Sequence, residues 1–316
     1  MKLKLLFLFA VVSALSSAVA PVFAAAAPSP QPLRILLVAG GCCHNYQLQA
    51  DGLKKGLEAR AFVQVDVVYS AGTTTRTTFP EYAKPDWAKG YDLILHDECS
   101  ADVTDIEYIQ RILAPHAQGL PAVLLHCAMH SFRTEGYNVA GTVTPWFEFT
   151  GLQTTGHGAQ SPIAMTYLDK NNPITKGLAD WVTGPEELYN NPMGGILPTG
   201  HPVAMGRIGN ETSVVAWTNI YKGKARVFAT TLGHNNPTVL DPNYLALVTR
   251  GLLWAADKLN DTYLKPALVA TPVLTPQNLG LLAAPETATK AKEEAVASEP
   301  QECGCKDDDE EQARTD

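Results

Sequence analysis

The chain has no surplus of basic residues. Its 24 Lys and Arg stand against 32 Asp and Glu, a net charge of -8. No basic stripe is available to neutralise phosphates, which argues against a nucleic-acid partner. A long apolar run is also missing: Leu5 to Leu15 is too short, and its flanks too small, for a stable membrane span. No zinc-protease spacing of the His-Glu-x-x-His kind occurs, so any metal site must be assembled from separate segments. No Cys stands at the small residues near position 24, so no lipid anchor is expected.

What does stand at the N-terminus reads as a targeting segment. Lys2 and Lys4 precede the apolar run, and Val22-Phe23-Ala24 offers the small residues that signal peptidase reads. Residues 1–24 are therefore expected to be a signal peptide, followed by a short linker, 25–32. Export to the periplasm or beyond would expose the thiols to an oxidising compartment. From Pro266 the composition turns to Pro, Ala and Thr, then Lys and Glu, then Asp307 to Glu311. Such a tail, 266–316, cannot bury a core and is expected to be disordered. Its Cys303-Gly304-Cys305 pair reads as a local disulfide or a loose soft-metal binder. Residues 33–265 remain, enough for one α/β domain with a full core.

Within that domain the pattern alternates. Leu33 to Ala39 is an unbroken apolar strand, followed by the loop Gly40-Gly41-Cys42-Cys43-His44-Asn45. Ala50, Leu53 and Leu57 mark one face of a helix from Tyr46 to Arg60. Phe62 to Tyr69 alternates as a second strand. Tyr91 to Leu95 is the third, ending in His96-Asp97-Glu98-Cys99. A helix over Asp102 to Ala117 leads to Ala122–Leu125, a short buried strand running into His126, Cys127 and His130. Alternation of this kind predicts right-handed crossovers and a parallel sheet. Further on, Ile163–Leu168, Val214–Ile220 and Ala225–Thr231 read as strands, the last two joined by the hairpin Tyr221-Lys222-Gly223-Lys224. Glu186-Glu187-Leu188-Tyr189 reads as a loop. Asp241-Pro242 opens the last helix as cap and first residue.

Ligands of open α/β sheets bind at the C-terminal strand ends, and histidines collect there. His44, His130, His157 and His234 are the expected ligands of a divalent metal, zinc or manganese. The same imidazoles could instead share acid–base work. Each of them alone would ordinarily be a hydrogen-bonded structural residue; as a set they point to one site. His116 and His201 read as surface residues. Glu187, His126 and Glu98 are the candidate acid–base groups. Cys127, at a strand–helix bend, invites a nucleophile reading with His234. It could equally be a buried thiol, or pair with Cys42, Cys43 or Cys99, and the count does not choose among these. Trp146 and Tyr189 are candidate aromatic contacts for a ligand, with Asn45 as a polar contact.

Several segments carry a family likeness. Leu125-His126-Cys127-Ala128, Asn172-Pro173-Ile174-Thr175-Lys176-Gly177-Leu178, Glu186-Glu187-Leu188-Tyr189 and the run from Gly223 through Thr231-Leu232-Gly233-His234 to Gly251-Leu252-Leu253-Trp254-Ala255 resemble the ThuA-like family of trehalose utilisation proteins, over roughly Leu33 to Leu259. The resemblance implies a flavodoxin-like three-layer sandwich, similar to class I glutamine amidotransferases, with a mainly parallel central sheet. It also implies sugar metabolism, on trehalose or another glycoside in its 3-keto form. A small carbohydrate is then the expected partner of an isomerase, lyase or hydrolase. A sugar-binding module without catalysis is the alternative, a Cys127–His234 hydrolase is the outsider, and an oligomer is left open. A glutaminase is not expected: the glycines flanking an amidotransferase nucleophile are absent, and Asn236 stands where its triad Glu would be.

Overall fold

The structure is a computed structural model and describes residues 29–191 and 195–266. The expected signal peptide, the first half of the linker and the tail with Cys303 and Cys305 lie outside the described residues. No helix among the described residues is long and apolar enough to cross a membrane.

From Gln31 the described residues form one unit. It begins with β1 (Leu33–Gly41), buried at every position but Arg34. Helix α1 (Tyr46–Arg60) starts where the Asn45 side chain accepts a hydrogen bond from the Leu48 amide, supplying one of the partners that a helix start lacks. Then come β2 (Val63–Ser70), β3 (Leu93–Cys99) and α2 (Ile106–Ala117), which Asp105 caps by accepting from Glu107 and Tyr108. Strand β4 (Ala122–Leu125) passes directly into a 3-10 turn, His126–His130. The chain continues through α3 (Pro145–Thr150), β5 (Ser161–Tyr167), β6 (Trp181–Glu186), β7 (Gly200–Ile208), β8 (Glu211–Tyr221), β9 (Ala225–Thr230), α4 (Asn236–Val239) and α5 (Pro242–Ala255). Asp241 caps α5 through the Asn243 amide, with Pro242 at the first position.

The nine strands form one sheet in the order β2-β1-β3-β4-β9-β8-β7-β5-β6. Helices α1 and α5 cover one face, and α2 and α3 the other. The three layers agree with expectation. The mainly parallel sheet does not. Pairing is parallel from β2 to β9 and antiparallel from β9 to β6. The 221–224 hairpin commits β8 against β9, and a tight turn at Gly209 (φ 56) commits β7 against β8. Strands β6 and β7 escaped the sequence reading because Gly184-Pro185 and Pro202 interrupt them. Strand β6 is the edge of the sheet and Pro202 sits at a bulge in the β7–β8 pairing, the two places where a strand tolerates proline.

Two further corrections concern buried polar groups. His96, Asp97 and Glu98 end β3 as expected, but all three are buried, where Glu98 was expected as an acid–base group of the site. His116, expected at the surface, is fully buried and packs on Phe149 at 4.7 Å between ring centres. Under the sheet these groups form a chain. His116 Nδ1 donates to the Leu120 carbonyl (2.7 Å), so its Nε2 must accept from His96 Nε2 (3.2 Å). His96 Nδ1 then meets Glu98 Oε1 at 2.8 Å, and a proton must lie between them. Tyr82 donates to the same oxygen (3.1 Å). Glu98 is thus consumed by a structural network and does not reach the strand-end site.

Burial, and then the neighbouring His96, push His116 down to about 3. An unfolded histidine takes up its proton near 6.5. Between these values the unfolded state holds the extra proton, so this contribution to stability is full above about pH 6.5 and is lost as pH falls toward 3. Asp97, raised by burial, opposes it over part of that interval. Replacing His116 by Gln, which keeps a donor for Leu120, should flatten the slope of unfolding free energy against pH between 6 and 4 by up to about 1.4 kcal/mol per unit. Urea melts at stepped pH would read this, and an unchanged slope would contradict the assignment.

Candidate functional site

Three strand ends converge in the parallel half of the sheet. At the end of β1, Gly40 and Gly41 have φ of 147° and 109°. A Cβ on Gly41 would lie 2.1 Å from the Cys99 carbonyl oxygen. Only glycine lets β1 end so close against β3, and that approach delivers Cys42, Cys43 and His44. At the end of β4 the backbone turns sharply at His126, whose φ of 43° is strained for a residue with a side chain. The strained elbow therefore belongs to His126 and not to Cys127. After β9, Thr231-Leu232-Gly233 carries His234, with Gly233 at φ 118° and too close to the Tyr244 hydroxyl for any side chain.

These three histidines meet. Ring centres are 4.8 Å apart for His44 and His126, 4.7 Å for His44 and His234, and 5.3 Å for His126 and His234. One nitrogen from each lies within 4.8 Å of the others. His126 Nδ1 donates to the Thr231 carbonyl at 2.7 Å, which leaves Nε2 with its lone pair. His44 Nδ1 is buried without a hydrogen bond. Desolvation, then the nearby His234, push His44 down to about 3, and burial holds His126 well below its ordinary value. Both are neutral at pH 7, the form in which imidazole binds a metal. The cavity among them measures about 10 Å³, room for one water or one ion. Two larger clefts, about 520 and 480 Å³, lie elsewhere and contain no histidine. Convergent donors, not volume, mark the site.

Glu187 sits beside the trio. Its Oε1 is 3.0 Å from His234 Nδ1, and its Oε2 is 3.5 Å from both His126 Nε2 and His157 Nε2. Its neighbour Glu186, which sequence reasoning passed over, holds the site together. Its buried carboxylate accepts from the amides of Gly233 (3.2 Å), His234 (3.0 Å) and Asn235 (3.0 Å). From the other side Gln49 donates to the carbonyls of Gly233 (3.1 Å) and His234 (3.2 Å). A buried Gln on the apolar face of α1 was the signal available for the latter.

The remaining expected residues fall differently. His130 and His157 line the same cavity, but the three nitrogens that converge belong to His44, His234 and His126, the last expected as an acid–base group. His130 Nε2 meets Thr154 Oγ1 at 2.5 Å, and its ring stacks on Tyr189 at 4.2 Å. His157 Nδ1 donates to Gly158 (3.1 Å). Tyr189 does reach the site, with its hydroxyl 3.5 Å from His126 Nε2. Trp146 is buried in the core beneath, donating to the Ala128 carbonyl (2.8 Å), and Asn45 is spent as the α1 cap. His201 is exposed as expected. Cys127 is disulfide-bonded to Cys99, and Cys42 to Cys43. The free thiolate that a Cys127–His234 hydrolase requires is not present.

Fold and site together define a three-layer α/β protein with an imidazole–carboxylate centre at its parallel strand ends. The chain belongs to the ThuA family, described as trehalose utilisation, whose model matches residues 34–255. It is similar to a ThuA-like protein from Parabacteroides merdae, with TM-score 0.53 and 22% identity over 72% of this chain and 90% of that one. A ThuA-like protein from Bacteroides uniformis gives TM-score 0.52 and 15% identity over 74% and 95%. A glutamine amidotransferase from Thermotoga maritima is more distant, at TM-score 0.40 and 9% identity over 72% and 98%. No curated protein matches the sequence.

Orphaning three amides at once is expensive. Glu186→Ala should lower unfolding free energy by about 3 kcal/mol or more, whereas Glu187→Ala should stay within about 1 kcal/mol of the parent. Equal losses in denaturant titrations would contradict this division of labour.

Proposed function

We propose that the chain is an exported carbohydrate-active enzyme acting on a keto-glycoside, with His44, His126 and His234 holding a divalent cation, zinc or manganese, and Glu187 moving the proton. The observation that carries this reading is the meeting of three imidazoles, two of them held neutral, around an ion-sized cavity. The donor set suits such an ion: three imidazole nitrogens leave a coordination position open for substrate. A cation there would polarise a sugar carbonyl as a Lewis acid.

The chain's own residues do the rest. Glu187 lies against the same point and can accept the proton from the carbon next to that carbonyl, then return it for isomerisation or leave a glycosidic bond to break. His157 and Tyr189 flank that carboxylate and can orient a sugar hydroxyl. A ring does not fit the cavity, so the sugar binds across its mouth. The family description supports a carbohydrate substrate, and the N-terminal targeting pattern supports export. The small cavity also favours a second reading, a sugar-binding module in which the same groups only grip.

Metal analysis of protein purified without chelator should find about one equivalent of zinc or manganese, lost in His126→Ala and in His234→Ala but kept in His130→Ala. No metal in the parent, even after incubation with both ions, would overturn the cation centre. Glu187→Gln should retain the metal yet turn over keto-glycosides at least about 100-fold more slowly. Saturable glycan binding with no product in the parent would select the binding module.

A further inference from the structure

Beside the imidazole centre lie four cysteines that the proposed chemistry does not use. Cys42 and Cys43 are bonded to each other, as are Cys99 and Cys127. The two disulfides are not independent. Cys42 Sγ is 3.4 Å from Cys99 Sγ, a contact distance between sulfurs of different bonds. The backbone holds them there: Gly41 is paired with Cys99 across β1 and β3, and the Cys42 amide donates to the Cys99 carbonyl (3.4 Å). Access is graded. Cys43 is exposed, with its backbone at φ 83°, whereas Cys42 and Cys127 are 6% exposed and Cys99 is fully buried. Of the four, Cys43 is the one that an outside thiol meets first. At the inner end, Cys127 and Cys43 both line the cavity of the histidines and Glu187.

We propose that these four sulfurs form a thiol–disulfide exchange site that takes two electrons from an external dithiol and delivers a free Cys127 thiol to the imidazole centre. A thiolate of the dithiol attacks Cys43 Sγ; the Cys42–Cys43 bond breaks, and Cys42 leaves as a thiolate. Cys42 then attacks Cys99 Sγ; a Cys42–Cys99 bond forms, and Cys127 leaves as a thiolate and takes a proton. The second thiol of the dithiol attacks its own sulfur in the mixed disulfide, which releases Cys43 and closes the dithiol into its own disulfide. Two protein disulfides become one disulfide and two thiols, and one dithiol becomes one disulfide, so two electrons and two protons are conserved. The buried bond is opened by relay, without the reductant ever entering the core. The product bond joins neighbours across the β1–β3 pairing, so the strands need not separate. In the product, the cavity presents free thiols where it had presented disulfide sulfurs, and a thiol is the softer ligand and stronger nucleophile.

The assignment is independent of whether a cation is bound, and its test is run in chelator. The folded full chain is treated with one equivalent of dithiothreitol, quenched in acid, alkylated and mapped by peptide mass spectrometry, with Cys303 and Cys305 followed on their own peptide. The expected two-electron product has a Cys42–Cys99 bond, with Cys43 and Cys127 alkylated. A product with Cys99–Cys127 intact and Cys42 and Cys43 both alkylated would overturn the relay, as would four free thiols in protein already exposed to oxidised glutathione. In Cys42→Ser, reduction of Cys99–Cys127 under native conditions should slow at least tenfold, and an unchanged rate would overturn the relay too. Should that variant fail to fold, the peptide map of the parent decides alone.

Discussion

A buried carboxylate accepting three consecutive backbone amides holds this site in shape. Glu186 ends β6, in the antiparallel part of the sheet, and its oxygens bind Gly233, His234 and Asn235, which leave β9. An anion so placed is tolerated only because each lone pair it turns inward finds an N–H. Gln49 of α1 ties the same loop through its carbonyls. The position of His234 thus depends on two elements that are remote from it in sequence, and with it the closure of the trio.

The antiparallel extension explains why the site departs from a simple doubly wound sheet. The parallel half, β2-β1-β3-β4-β9, supplies His126 and His234 at the adjacent ends of β4 and β9, and His44 at the end of β1, one strand further on. It supplies no acid. Strand β6 and the residues after it bring Glu186, Glu187 and Tyr189 over those ends, so the added strands form one wall of the centre and carry its carboxylates.

Sequence reasoning located the helices α1, α2 and α5, the strands β1 to β4 and the convergence of histidines, because continuous apolar runs and caps are local signals. It placed Glu98 and His116 wrongly for a shared reason. A polar residue in a strand or on a helix reads as a boundary or a surface, and only the three-dimensional chain Tyr82–Glu98–His96–His116 shows that each satisfies another inside the core. The exchange of His126 for His130 and His157 as members of the trio turned on one backbone angle. With φ at 43°, the His126 ring reaches its neighbours, and no spacing in sequence encodes that.

The cavity at the centre admits a single ion or water, and everything larger must meet the protein outside it. Reactivity and recognition are therefore housed in different shells. The inner shell comes from rigid strand ends locked by carbonyls and carboxylates. The outer one comes from loop residues such as Gln160, whose side chain already touches His234 Nε2 at 2.8 Å and also accepts from Asn235. A scaffold divided in this way can exchange one ligand for another by changing its rim while the groups beneath stay as they are.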